Sequence, residues 1–177
     1  MDTLPDHLRH GLDLVFVGLN PSPRSIAVGH YFGNPRNRFW AAFNLAKLAP
    51  AEVSAEGDGT LLEHGIGFTD LVKRPTPGVS HLRAADYREG APVLREKLER
   101  YRPRVACFHG VTVYRHYLRH AEGAVEDPSP GPQERLVGET RLFVTPNPSP
   151  ANARFSLEDL AGWYRELRAF VQGAKGG

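Results

Sequence analysis

The chain has 177 residues, of which 41 % are hydrophobic and 24 % are charged, and its formal net charge is +2. These values are typical of a soluble globular protein, and at this length one domain buries about 70 % of its unfolded surface. A single cysteine, Cys107, excludes an intramolecular disulfide, a four-cysteine iron–sulfur cluster and a cysteine zinc site. No stretch reaches the roughly 20 apolar residues that span a bilayer, and no apolar signal core is present near Met1, so we expect no membrane association and a cytoplasmic location.

The first strand is predicted at Leu14–Val17, a short apolar run that indicates burial on both faces. Gly18, Leu19, Asn20 and Pro21 follow it. Because proline cannot donate to a sheet and disfavours a helical residue before it, a turn must begin here. Asn20 is therefore expected just beyond a strand's carboxyl end, where parallel sheets usually bind their ligands.

A long loop rich in glycine and proline is predicted next, and it carries Tyr31 and Phe32. It ends at a second Asn-Pro pair, Asn34-Pro35, which is a plausible helix start. Phe39, Trp40, Phe43 and Ala46 then recur at helical spacing, which predicts a helix over about 36–48.

Short apolar strands and amphipathic helices alternate through the rest of the chain. The further strands are predicted around 65–72, 105–108, 136–137 and 141–144, and the further helices around 61–62, 83–101, 113–118 and after a Ser156 cap. Residues 1–11 are predicted to be a polar lead-in and residues 173–177 a frayed tail, which leaves a core of about 12–172 with flexible termini. The pattern indicates one three-layer α/β/α domain with a mostly parallel central sheet.

Polar residues follow four of these strands. They are Asn20, the pair Thr69-Asp70, His109, and the run from Pro146 to Ser149. Since the carboxyl ends of parallel strands meet at one edge of a sheet, these residues are expected to share a cleft. The motifs of serine hydrolases, P-loop NTPases, dinucleotide-binding dehydrogenases and zinc proteases are absent from the sequence.

Four motifs occur in one order along the chain: GLNP from Gly18, GHYFGNPRNRFW from Gly29, GFTDLVKRPT from Gly67 and PNPS from Pro146. Together they resemble the mismatch-specific uracil-DNA glycosylases, the Mug and thymine-DNA glycosylase family, over about 14–170. The resemblance implies a uracil-DNA glycosylase fold and a monofunctional enzyme of base excision repair that flips a damaged base out of DNA and hydrolyses its glycosidic bond. It implies no metal, no cofactor, a monomer located at the bacterial nucleoid, and uracil-containing double-stranded DNA, with single-stranded DNA a further possibility, as the partner.

Site residues follow from the resemblance by position. Asn20 corresponds to the family's water-positioning asparagine, and Phe32 to the aromatic residue that stacks on the flipped base. Gly18, Leu19 and Tyr31 are placed with Phe32 in the base pocket. The segment that enters the duplex begins at Asn147 to Ser149 and includes Ala151.

Two departures from the family pattern change the expectations. After Asn-Pro-Ser, this chain has Pro150-Ala151-Asn152-Ala153-Arg154 and no bulky residue. This predicts weaker discrimination of the base opposite uracil. Asp70 stands where Mug-type sequences have a non-acidic residue, so it is interpreted either as a turn cap or as a carboxylate that shares or takes over water activation.

The basic residues leave alternatives open. Lys73, Arg74 and Arg154 are predicted to contact phosphates beside the cleft, or else to be solvated surface charges. Arg38 is interpreted as a loop-organising residue or as another phosphate ligand, and His109 is left unassigned. Two other functions remain: a non-catalytic binder of damaged DNA, and an α/β hydrolase of free nucleotides.

Overall fold

The computed structural model describes residues 2–176. The strands in these residues are β1 (Leu14–Gly18), β2 (Ile66–Asp70), β3 (Val105–His109), β4 (Gly131–Val137) and β5 (Thr140–Thr145). The α-helices are α1 (Pro23–Val28), α2 (Phe39–Leu45), α3 (Ala84–Tyr101), α4 (Val111–Tyr117) and α5 (Leu157–Lys175). Two 3-10 helices, Ala55–His64 and Val79–His81, and a π-helical turn, Leu118–Glu122, complete the helical elements of the described chain.

The five strands form one sheet in the order β2-β1-β3-β5-β4. Three neighbouring pairs, β2-β1, β1-β3 and β3-β5, are parallel. The edge strand β4 pairs with β5 in the antiparallel direction. The chain leaves β1 toward one side for β2 and returns to the other side for β3. The resulting switch point, outside the carboxyl ends of the central strands, is where open α/β sheets bind ligands.

Helices cover both faces of the sheet, as predicted. Along β1, Phe16 packs with α2 and α5 on one face. Its neighbours Val15 and Val17 pack with α3 and α4 on the other. Every residue of β1, β2 and β3 is buried, as strands between two helical layers must be. The predicted three-layer α/β/α class is therefore confirmed.

Several element boundaries differ from the predictions. The loop after Asn20 contains helix α1, whose first turn is capped by the Ser22 hydroxyl and begins with Pro23. Six residues are too few to show helical periodicity in the sequence. Helix α2 begins at Phe39 rather than near residue 36, since the Asn37 side chain accepts a hydrogen bond from the Phe39 N–H and forms a turn there.

Within residues 2–176, both ends that were predicted to be flexible belong to the fold. Leu4 is only 3 % exposed, and His7 exchanges two backbone hydrogen bonds, of 2.9 and 3.0 Å, with Phe68 on the outer edge of β2. The segment thus covers an edge strand that would otherwise offer unpaired backbone groups. At the other end, α5 continues to Lys175, so the predicted frayed tail from Gly173 is wrong. No helix within residues 2–176 is long and apolar enough to cross a membrane.

Candidate active site at the carboxyl edge of the sheet

A cleft with a volume of about 340 Å³ opens at the carboxyl edge of the sheet. All four predicted strand ends contribute to its walls, through Asn20, Asp70, His109 and Asn147, and Phe32 lies among them. Register explains the convergence, because Gly18 at the end of β1 pairs with Asp70 at the end of β2. The predicted meeting of an amide, a carboxylate, an imidazole and aromatic rings is present.

Hydrogen bonds fix the orientation of the Asn20 amide. Its Nδ2 donates to the Arg74 carbonyl at 2.9 Å and to the Thr76 Oγ1 at 2.8 Å. Thr76 Oγ1 in turn donates to the Gly78 carbonyl, so it must accept from Asn20. Both partners are hydrogen-bond acceptors, so the NH₂ group of Asn20 must face them. Its Oδ1 then has no hydrogen-bond donor among the described residues. This carbonyl oxygen can accept a hydrogen bond from a water molecule.

Asp70 is a buried carboxyl group in the cleft wall, with 6 % of the residue exposed. Its Oδ2 accepts no hydrogen bond from residues 2–176, and the Lys73 ammonium lies 3.7 Å away. Burial raises the pKa of Asp70 to about 6, although Lys73 opposes the change. No backbone N–H among the described residues donates to this side chain, so the interpretation of Asp70 as a turn cap lacks the hydrogen bond it requires.

Phe32 and Tyr31 differ in exposure. Tyr31 is only 3 % exposed, and its hydroxyl donates to the Pro5 carbonyl at 3.0 Å. Phe32 is half-buried and stacks on Phe39 with ring centroids 4.1 Å apart and planes 16° apart. Its φ of 52° is unusual for a bulky side chain and costs strain. Phe32 is therefore the more accessible ring, supported from behind by the core.

His109 is a neutral group in the floor of the cleft. Its ring stacks on Phe16, with centroids 5.1 Å apart and planes 17° apart, and its Nε2 lies 3.0 Å from the Tyr164 hydroxyl. Burial lowers the pKa of His109 to about 3. Burial thus disfavours the cationic form of this imidazole, which is a neutral hydrogen-bonding group at neutral pH.

Arg38 organises the loop at 147–155. Its guanidinium donates to the carbonyls of Ser149 at 3.3 Å and Asn152 at 2.8 Å, and also to that of Phe155. Of the two interpretations, the loop-organising one has its contacts in the structure. Within the loop, Asn147 Oδ1 accepts from the Ser149 N–H at 2.9 Å. Asn147, Ser149 and Ala151 line the cleft, and their entry into a DNA duplex stays a prediction.

The three other predicted phosphate ligands do not line the cleft. Arg74 pairs with Asp86 at 2.7 Å, and Lys73 pairs with Asp6 at 2.8 Å. Arg154 lies over the Phe155 ring and faces a separate groove along α5. Sequence reasoning missed Thr76 and Asp6, which reach the site through tertiary packing alone.

Within residues 2–176, no group of three or more His, Cys, Asp or Glu side chains is arranged to hold a metal ion. What it offers is an oriented amide oxygen, a buried carboxylate and an aromatic shelf at the switch point of a parallel sheet. Such a site can position and activate water beside a flat ring, as a hydrolase requires.

Comparison with known proteins specifies the class. The family described as the Uracil DNA glycosylase superfamily matches residues 5–168, and the chain belongs to it. The protein is thus a member of a DNA glycosylase family. The fold is similar to the solution NMR structure of a candidate uracil DNA glycosylase from Methanosarcina acetivorans, with a TM-score of 0.61, 22 % sequence identity, and coverage of 98 % of this chain and 97 % of that one.

Proposed function

We propose that the protein is a monofunctional glycosylase of the Mug and thymine-DNA glycosylase type that hydrolyses the glycosidic bond of uracil in DNA and leaves an abasic site for base excision repair. The observation that carries this proposal is the Asn20 amide, which is locked by Arg74 and Thr76 with its oxygen unpaired. It shares one cleft with Asp70 and Phe32. As a glycosylase of base excision repair it would act as a monomer at the nucleoid in the cytoplasm.

The reaction needs a flipped nucleotide, because a base in the stack cannot be reached. The extruded uracil would stack on the accessible ring of Phe32, beside Tyr31. The turn at Gly18 and Leu19 would contact its edge, and it is held rigidly because the carbonyls of these two residues accept hydrogen bonds of 2.8 and 2.9 Å from the N–H groups of Leu71 and Val72. A pre-formed turn of this kind avoids reorganisation during the reaction.

Bond cleavage requires a water molecule on the sugar carbon. The C1′–N1 bond breaks and its electron pair leaves with uracil, while the water oxygen bonds to C1′. Asn20 Oδ1 accepts one hydrogen bond from that water and places it, and the Asp70 carboxylate takes the proton. An amide orients water well but is a poor base, whereas a carboxylate whose pKa is about 6 is ionised at neutral pH and sufficiently basic.

The loop at 147–155 would enter the duplex. Its exposed tip carries Ala151, a side chain too small to fill the gap that a flipped base leaves. We therefore propose weak discrimination of the opposing base and activity on single-stranded as well as double-stranded DNA. Lys73, Arg74 and Arg154 would contact phosphates from outside the cleft, while Lys73 and Arg74 keep their ion pairs with Asp6 and Asp86. Arg38 would act mainly by shaping the loop.

One assay separates this proposal from the two other functions. An oligonucleotide with a single uracil is incubated with the protein and then treated with alkali, which cleaves abasic sites. Strand breakage at uracil supports the proposal. Binding without breakage would indicate a non-catalytic binder. If the protein neither binds nor breaks the strand, a hydrolase of free nucleotides is favoured.

A second assay tests the proposed role of the loop. Uracil opposite G, opposite A and in single strands should be removed at rates within about tenfold of each other, and a stronger preference for G would contradict that role.

A further inference from the structure

The N-terminal segment, residues 2–9, lies against the outer edge of β2 next to the cleft. The two backbone hydrogen bonds between His7 and Phe68 fix one part of it. Leu4 fixes another, since this side chain is buried and contributes to the cleft wall. Asp6 lies between these two anchors, so its carboxylate is held in place by the fold.

Asp6 binds two lysines at once. Its Oδ1 accepts from Lys73 Nζ at 2.8 Å and from Thr69 Oγ1 at 2.7 Å. Its Oδ2 lies 2.6 Å from Lys97 Nζ on α3. Burial by itself would raise the pKa of Asp6, but Lys73 and Lys97 hold it below its ordinary value. Asp6 is therefore an anion at neutral pH, and it lies next to the cleft.

Lys73 is shared unequally between two carboxylates. Its ammonium lies 2.8 Å from Asp6 Oδ1 but 3.7 Å from Asp70 Oδ2, which is beyond hydrogen-bond distance. A third contact, 3.4 Å long, joins it to the Tyr31 hydroxyl. Asp70 Oδ2 has no other partner in the described chain. The nearest cation to Asp70 thus donates to Asp6 instead.

We infer that Asp6 is a positioning residue for water activation: it holds the Lys73 ammonium back from Asp70 and so keeps Asp70 a strong base. The inference rests on the proposed function, in which Asp70 takes a proton from the water that bonds to C1′ as the base departs with the electron pair. A carboxylate that accepts a full hydrogen bond from an ammonium group is a weaker base than one that does not.

The charged and titratable groups around Asp70 make the direction of the effect clear. They are Asp6 on the N-terminal segment, Lys73 on the loop after β2, Lys97 on α3, and the Tyr31 hydroxyl, whose pKa is raised by burial. Replacing Asp6 by Asn keeps the size of the side chain but removes an anion and releases both lysines. The loss of the anion, the release of Lys73 and the release of Lys97 each favour the ionised form of Asp70. The pKa of Asp70 should therefore fall.

The test measures the Asp70 titration directly and through catalysis. Carboxyl ¹³C NMR, with the Asp70 signal identified by its loss in Asp70→Asn, gives the midpoint without reference to activity. Single-turnover excision of uracil gives the acid limb of the rate profile. In Asp6→Asn both should move down by about one pH unit. In Asp2→Asn, which makes the same charge change at an exposed residue of the same segment, neither should move.

Lys73→Met tests the same link without altering the segment, and it should move both midpoints upward. In the Lys73→Met protein, adding Asp6→Asn should move the two midpoints less than half as far as it does in the native protein, because the lysine that Asp6 and Asp70 share is gone. An unchanged NMR midpoint in Asp6→Asn would overturn the inference. An NMR midpoint that moves while the rate limb stays fixed would confirm the electrostatic link and overturn instead the proposed use of Asp70 as the base.

Discussion

The Asp70 carboxylate occupies space that exists only because residue 18 is glycine. A Cβ placed on Gly18 would lie 2.6 Å from Asp70 Oδ1, well inside contact distance. The two residues are register partners at the ends of β1 and β2, so neither backbone can move aside without disturbing the sheet. The glycine that begins the GLNP turn therefore admits the carboxylate to the cleft.

Gly18→Ala should displace Asp70 and lower the single-turnover rate by at least about tenfold. It should also destabilise the protein by about 1–3 kcal/mol, because it overpacks a buried site. Gly162→Ala is the matched control, since no atom lies within 4 Å of a Cβ built there, and a helical glycine replaced by alanine should be neutral or stabilising. Equal activity of the two variants would contradict the expectation that a Cβ at residue 18 displaces the Asp70 carboxylate.

The buried charge of Asp70 should cost stability at neutral pH. Its folded-state pKa of about 6 lies above the ordinary value of about 3.9 for an aspartate, so protonation favours the folded state. The contribution of Asp70 to the free energy of unfolding is fully present below about pH 4 and is lost as the pH rises through about 6. Asp70→Asn should therefore raise the free energy of unfolding at pH 8 by up to about 3 kcal/mol. Denaturant unfolding at pH 8 and pH 5 measures this, and a variant less stable than the native protein at pH 8 would refute it.

Phe32 should contribute to binding rather than to chemistry. Truncation to Ala removes the proposed stacking surface, which is worth about 1–3 kcal/mol per base, so kcat/KM on uracil-containing DNA should fall by roughly ten- to a hundredfold. Phe32→Tyr retains a ring and should retain most of the activity. Similar losses in both variants would contradict the stacking role, since Phe32→Tyr keeps the ring.

A larger side chain at the loop tip should introduce a preference for uracil in duplex over single-stranded DNA. Ala151→Leu supplies an apolar group that can fill the vacated stack, so the rate ratio for uracil in duplex over single strands should rise severalfold. Ala153→Leu makes the same change at an exposed position of the loop that does not line the cleft. If both variants shift the ratio equally, general loop hydrophobicity is responsible and the wedge explanation fails.

The sheet and its cleft were predictable because they follow from local patterns. Apolar runs ending at Asn20, Asp70 and His109 mark strand ends, and parallel pairing brings those ends together without further information. The helix at Pro23–Val28 was not found, although Ser22 and Pro23 carried its start signal, since its length hides the periodicity. A hydroxyl N-cap followed by proline could have indicated it.

The contacts that tune the site were not predictable, because they join residues far apart in sequence. Thr76 orients Asn20 across 56 positions, and Asp6 reaches Lys73 across 67. No spacing rule connects such pairs. Arg38 likewise reaches the carbonyls of Ser149 and Asn152 across 111 and 114 positions, so these contacts follow only from the three-dimensional packing of the loop.

The most direct test of the account is single-turnover release of uracil from DNA by the native protein, Asn20→Ala and Asp70→Asn at pH 8. If the amide places the water and the carboxylate takes its proton, the native protein excises uracil and each variant loses about 10²- to 10⁴-fold in rate while remaining folded by circular dichroism. Native excision that survives both substitutions within a few-fold would contradict the account, since neither side chain would then act on the water.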